Sequence, residues 1–295
     1  MKRTTRRWSV FTAILSASAI ALTGCSADTG NSGEGAAEES GLETPLRVYV
    51  TPTPQGDVLN YIQELADADE SGLQLDIIES DGQLDPNELL ASGDIDANLF
   101  QHDPYFTSWK AAHTETTNLE NVSTVLVNIF GLYSDKFDSV EEIPEGAEIL
   151  VPNEQTNLPR ALFILQDVGL IELSYPESDG SAEALAIDES DIVSNPKNLK
   201  FVPTDTTLRA QALPDVAASF INGDIALSNG VDLDLALSLE EPENNPYANV
   251  LTTTTELKTD PRIELLVEYL TSDEVASYID EGYDGFVLAA GNSLL

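Results

Sequence analysis

The chain contains one cysteine, two histidines and only 13 lysines and arginines in 295 residues, and each scarcity excludes something. One thiol leaves no intramolecular disulfide to form. His102 and His113, with no His-Glu-x-x-His spacing and no paired cysteines, do not supply the three or four ligands of a zinc site. No Gly-x-Ser-x-Gly elbow and no phosphate-cradling glycine loop occurs. Basic side chains are outnumbered by 52 Asp and Glu, for a formal net charge of −39, which argues against binding nucleic acid or an anionic surface through charge. The same abundance makes acid pairs uninformative, since some pair will imitate a glycosidase site by chance. No enzymatic activity, metal or cofactor is therefore expected. After residue 25 no apolar run approaches the roughly 18 residues of a membrane-spanning helix. No internal repeat is present.

What the chain does contain begins at its start. Lys2, Arg3, Arg6 and Arg7 form a positive segment, and Val10 to Ala21 an apolar one too short to span a bilayer. Leu22-Thr23-Gly24-Cys25 follows, and this run resembles the lipobox of bacterial lipoproteins. The resemblance implies cleavage after residue 24 and acylation of Cys25, on its thiol (palmitate) and its new amino group. The mature protein would be lipid-anchored on the extracytoplasmic face of the cell membrane. Arg6-Arg7 leaves twin-arginine export open beside the general secretory route. Loss of residues 1–24 removes four basic and no acidic side chains, bringing the formal charge to about −43, which suits a salty or wall-rich exterior where ions screen self-repulsion. Apolar residues at 42 % still suffice for a core. Residues 25–45 are rich in Ser, Gly, Glu, Asp and Ala without apolar period, a flexible tether reaching about 25 Å in root-mean-square terms.

From Leu46 the pattern alternates. Leu46–Val50 reads as a strand, and Asp57 starts a helix whose apolar face is Val58, Leu59, Ile62, Leu65 and Ala66. Leu73–Ile78 and Ala97–Phe100 read as strands around a short helix, Pro86–Ala91. Val122–Tyr133 is one long extended stretch with a central Asn128. Glu148–Val151 is a strand followed by a helix from Leu158 to Val168, which Gly169 ends. Val216–Ile221 and Asn249–Thr252 are further strands, and Arg262–Thr271 and Asp273–Asp280 helices. Such alternation predicts an α/β protein of mainly parallel sheets with helices on both faces, in two lobes with a cleft at the strands' carboxyl ends.

Two segments carry candidate chemistry. In Val151-Pro152-Asn153-Glu154-Gln155-Thr156-Asn157-Leu158-Pro159-Arg160, Thr156 or Asn157 can cap the helix and Pro159 fits its first turn. Arg160 beside that turn's free N–H groups suits a small carboxylate; the plain alternative is a surface arginine paired with one of many acids. Asp96-Ala97-Asn98-Leu99-Phe100-Gln101-His102-Asp103-Pro104-Tyr105 clusters two aromatics and an imidazole in a loop after a strand. Those walls suit an amino-acid side chain, including a thioether; the alternative is that Phe100 and Tyr105 are core and His102 an ordinary loop histidine. Trp109 and His113 read as core and surface.

Together with the lipobox, several ordered runs resemble the NlpA lipoprotein family, the methionine-binding lipoproteins of ABC importers. They are Val50-Thr51-Pro52-Thr53-Pro54, Gly93 to Asn98 with Phe100-Gln101-His102, and Val151-Pro152-Asn153 with Thr156-Asn157-Leu158 and Arg160. Asn195 to Lys200, Phe220-Ile221-Asn222-Gly223, Pro246-Tyr247-Ala248-Asn249 and Thr271 to Val275 continue the series. The resemblance implies a two-lobed clamshell of the periplasmic-binding-protein type (type II) with mixed, mainly parallel sheets. Lobe 1 would comprise 46–128 with 231–295, and lobe 2 129–230. It further implies that Phe100, His102 and Tyr105 wall the side-chain pocket, that Arg160 holds the ligand carboxylate, and that Asn157, Asn222 and Asn249 bind its polar ends. The chain departs from the family at Gln55 (usually histidine), Gln83 (usually aromatic, against the ligand), Pro159 (usually glycine) and Ile225 (commonly tyrosine). The implied function is capture of L-methionine or a close relative for an ABC permease and its ATPase. A methionine-containing dipeptide or other small uptake substrate, with Gln83 reading the added polar group, and a non-transport lipoprotein of the same fold are the alternatives.

Overall fold

A computed structural model of the chain describes residues 41–295, apart from 81, 82, 177–180, 182 and 244. The expected signal peptide, the lipidated Cys25 and the tether up to residue 40 lie outside the described residues.

The described chain opens with β1 (Leu46–Val50), α1 (Asp57–Ala68), β2 (Leu75–Glu79), α2 (Pro86–Ser92), β3 (Ala97–His102), α3 (Asp103–Ala112) and β4 (Leu119–Asn128). Next come β5 (Phe130–Tyr133), β6 (Glu148–Pro152), α4 (Leu158–Asp167), β7 (Glu172–Leu173), β8 (Ile192–Ser194), β9 (Lys200–Thr204), α5 (Thr206–Gln211), β10 (Ala218–Asn222) and α6 (Gly223–Asn229). β11 (Ala236–Leu239), β12 (Asn249–Thr254), α7 (Pro261–Leu270), α8 (Asp273–Gly282) and β13 (Val287–Ser293) complete it.

The strands form two large sheets, ordered β13-β4-β12-β3-β1-β2 and β11-β5-β10-β6-β9, with β7 and β8 paired separately. Parallel pairing is confined to β2-β1-β3 and β10-β6-β9. These are the places where a crossover helix returns the chain to the same edge. Every other pairing is antiparallel, so the sheets are mixed but not mainly parallel. Local alternation of strand and helix does not report the direction of β12 and β13, which come back from far along the sequence.

The stretch expected as one strand is two. β4 ends at Asn128 in the first sheet and β5 begins at Phe130 in the second; Ile129 between them donates its N–H to the Phe286 carbonyl at 2.9 Å. At the other expected boundary, near 230, the pairing differs from expectation. β11 joins β5 in the second sheet, so residues 236–239 belong with that sheet and the return to the first lies beyond Leu239.

Helix α1 buries Val58, Leu59, Ile62 and Ala66, one face at helical spacing, against the first sheet together with α7 and α8. In the second, Ala161 to Leu165 of α4 pack on Phe130, Ile149, Val151 and Phe220. The first core does not stop at its own sheet: Tyr133, Ala210, Leu213, Ile221 and Ala226 are part of the same buried cluster. α3 was not foreseen. Pro104 in its first turn and the buried Phe106 and Trp109 mark it as a helix, with His102 as its N-cap.

Candidate functional site

At the carboxyl ends of β3, β6 and β10 lies a cavity of about 270 Å³, just below the usual size range of ligand pockets. Phe100, Gln101 and His102 of β3, Tyr105 of α3, and Tyr247 and Asn249 wall it from the side of the first sheet. Asn157 and Arg160 at the start of α4, Thr206, Asn222 and Asp224 wall it from the second, with Asn128 at the crossing. Seven of the eight residues expected at the ligand are brought together here: Phe100, His102, Tyr105, Asn157, Arg160, Asn222 and Asn249. Gln83 is not. It is exposed and outside the cavity wall.

The local structure fixes the protonation and orientation of several of these groups. His102 Nδ1 accepts the Tyr105 N–H at 3.1 Å, capping α3, so the ring proton sits on Nε2 and is donated to Asn157 Oδ1 at 3.1 Å. Burial, with the Arg160 charge adding to it, pushes the imidazole down to about 3, and His102 is neutral. Asn157 therefore does not cap its own helix, contrary to expectation: its carbonyl oxygen is committed to His102 and no side-chain cap bond forms on α4. Asn222 Oδ1 likewise accepts from Arg209 Nη2 at 3.2 Å, and Asn249 Oδ1 from Gln55 Nε2 at 2.7 Å. All three asparagines have spent their oxygens on the protein. Among the described residues their Nδ2 groups donate to nothing.

Arg160 is buried, its side chain 3 % exposed, so the surface-arginine alternative is set aside. Its guanidinium lies over the rings of Phe130 and Tyr247, at 4.8 and 4.6 Å. Nε donates to Glu240 Oε2 at 2.6 Å, and Nη2 to Glu240 Oε1 and, at 2.9 Å, to the Asn128 carbonyl. The fork expected to face a ligand is thus largely filled by Glu240, and Nη1 is the donor that no described residue takes. A second buried cation lies alongside: Arg209 donates to the Phe220 and Thr204 carbonyls at 2.8 Å and pairs with Glu154 at 3.2 Å.

Sequence reasoning missed Asp224, Glu240, Arg209 and Tyr247. The first two were hidden among 52 acids, while Arg209 and Tyr247 carried a signal: a cation in a chain poor in them, and an aromatic inside the Pro246 to Asn249 run. Burial raises the Asp224 carboxyl to about 6 and the Tyr247 phenol to about 12. Buried side-chain atoms without a hydrogen-bond partner among the described residues include Asp224 Oδ1, Asn128 Oδ1 and Tyr247 Oη, all on residues of this wall, and Gln55 Oε1, whose amide holds Asn249. Unpartnered polar atoms and uncommitted amide donors therefore belong to the residues around one small cavity.

The NlpA lipoprotein family model matches residues 46–291. The chain is 33 % identical over 254 residues to the methionine-binding lipoprotein MetQ of Bacillus subtilis, covering 85 % of this chain and 89 % of that one. It is 32 % identical over 242 residues to the D-methionine-binding lipoprotein MetQ of Salmonella typhi, covering 81 % and 86 %. Among solved structures, a nutrient-binding protein of Burkholderia cenocepacia bound to methionine superposes with TM-score 0.74 at 32 % identity, over 83 % of this chain and 99 % of that one. A periplasmic substrate-binding protein of an ABC transporter from Coxiella burnetii gives TM-score 0.74 at 32 % identity, over 83 % and 100 %. The fold is accordingly the two-lobed α/β fold of periplasmic substrate-binding lipoproteins, and this chain belongs to the NlpA lipoprotein family.

Proposed function

We propose that this protein is a lipid-anchored receptor that captures a single amino acid, methionine or a close relative, in the cavity between its sheets and hands it to an ABC permease. The observation that carries the proposal is the cavity itself: small, aromatic on the first sheet's side, and lined by uncommitted amide donors and a buried arginine with one nitrogen free among the described residues. The methionine-binding relatives and the methionine-bound neighbour support the choice of ligand. In this reading Phe100, His102 and Tyr105 enclose the side chain, with neutral His102 compatible with a thioether. The ligand carboxylate meets Arg160 Nη1 and the Nδ2 groups of Asn157, Asn222 and Asn249. Those four donors are needed because a carboxylate in a closed cleft is costly unless it is fully hydrogen-bonded. Closure of the lobes over the ligand is the signal the permease reads. The chain performs no covalent step; ATP is spent by the partner ATPase. Gln83, the residue that would have read a dipeptide, lies outside the cavity, and the small volume favours a single residue over a peptide.

Mass spectrometry of ligand retained on the purified protein, followed by calorimetry with all amino acids, tests this. Methionine or a near neighbour should bind, and flat heats throughout would defeat the proposal. Arg160→Gln combined with Glu240→Gln keeps the cavity free of an orphaned buried charge. It should weaken methionine binding at least about tenfold, the loss expected for a charge-assisted hydrogen bond. Unchanged affinity would place the carboxylate elsewhere.

A further inference from the structure

We infer that Asp224 is a ligand-binding residue of this cavity, its carboxylate receiving the ammonium group of a primary-amine ligand. The inference rests on the binding reading above and names the half of the ligand that the cavity selects for.

The charges around the cavity nearly cancel, and Asp224 is what remains. Arg160 on α4 is answered by Glu240, which follows β11. Arg209 on α5 is answered by Glu154, which precedes α4. His102, at the end of β3, is neutral in the tautomer set by Tyr105 and Asn157. No basic side chain hydrogen-bonds Asp224, and Oδ1 is buried without a partner among the described residues. Arg160 and Arg209 attract its charge from a distance, and the backbone amides of Asp224 and Ile225 steady the carboxylate. A carboxylate kept in such a place with backbone amides but no side-chain cation bonded to it is costly in the empty state. An ammonium carries three donors and no acceptor, and it answers the Asp224 charge directly. Asn128, which lines the same cavity at the crossing, carries a second acceptor without a partner among the described residues, Oδ1. In the binding reading above, Arg160 and the amide donors take the ligand carboxylate, so the two polar ends are sorted by complementary groups rather than by shape.

The position of Asp224 is held by the backbone. Gly223 before it packs so closely that a Cβ would lie 1.9 Å from the Phe286 carbonyl, and this contact pins the start of α6 to the crossing between the lobes.

Calorimetry on the full-length chain in detergent, wild type and Asp224→Asn, tests the inference with L-methionine and two halves of it: methylthiopropylamine, which lacks the carboxylate, and methylthiobutanoate, which lacks the amine. Asp224→Asn should weaken methionine and the amine at least about tenfold and leave the acid unchanged. Wild-type affinity for methionine should fall towards tenfold per pH unit below about 6 and be flat over that range in Asp224→Asn. His102, titrating near 3, does not contribute there. The ligand-free Asp224→Asn protein should melt no lower than wild type at pH 7.5, because an unanswered carboxylate has been removed. A lower melting temperature would show a structural role and overturn the inference. Equal affinity of both proteins for methionine, or wild-type binding of the acid as tight as of methionine, would overturn it while the receptor reading stands. Binding of the amine alone, with Asp224 required, would support it while the amino-acid reading fails. A panel in which no amine binds wild type overturns both.

Discussion

His102 does three things with one ring: it caps α3 through Nδ1, orients Asn157 through Nε2, and stays neutral because it is buried beside Arg160. Its folded-state value, about 3, lies below the ordinary histidine value of 6.5. Between those two pH values the unfolded chain binds the proton and the folded chain does not. The contribution is therefore complete above about 6.5 and is lost as pH falls towards 3, by up to about 1.4 kcal/mol per pH unit. His102→Asn, which keeps a capping side chain, should show a shallower acid-side fall in melting temperature than wild type; parallel curves would show that His102 titrates normally. The three asparagines and Arg160 were legible as polar residues in matching runs. Their division of labour was not, because it depends on which atoms the protein has already used. Asn222, for example, reads from sequence as either donor or acceptor, and only the Arg209 contact decides. Asp224 was illegible for a related reason: a carboxylate becomes conspicuous only when its neighbours leave it unanswered.

Among the elements, the short helix α6 is the most constrained. Gly223 meets the Phe286 carbonyl and the Ile129 nitrogen, so an added methyl has nowhere to go. Gly223→Ala should cost about 3 kcal/mol, the upper part of the overpacking range, and lower methionine affinity through displacement of Asp224. Gly93→Ala is the contrast: that glycine ends α2 in a left-handed conformation with open space around it. It should cost about 1–2 kcal/mol and leave binding unchanged. Thermal unfolding and calorimetry on both variants check this, and equal effects would refute the contact. Strands and helices with a clear period, such as β1, α1, α4 and α7, were legible to within a few residues. α3 was not, because Asp-Pro after a strand reads as a turn, and its apolar face is only Phe106 and Trp109. The break at Ile129 was equally hidden, since β4 and β5 are both buried and differ only in which sheet they join.

For the molecule as a whole, a formal charge of −39 means that the folded state is compact against its own repulsion. Melting temperature should rise as sodium chloride is increased from roughly 0.02 to 1 M, where the screening length shortens from about 20 to 3 Å. A flat or falling curve would show that the acids are neutralised within the fold. The alternation that gave the α/β class was plain in the sequence, whereas the antiparallel return of β12 was not. Direction is set by contacts between residues far apart, such as Asn249 with His102 and Leu126.

The unbroken core has a mechanical corollary. Tyr133, Ile221 and Ala226 of one half are buried with the apolar interior of the other, and Ile129, Gly223 and Phe286 lock together beside them. That seam would have to tear before the halves could slide. Like a purse with a sewn edge, the molecule is held along that spine, and Tyr105, 39 % exposed, is the part of the cavity wall that solvent reaches.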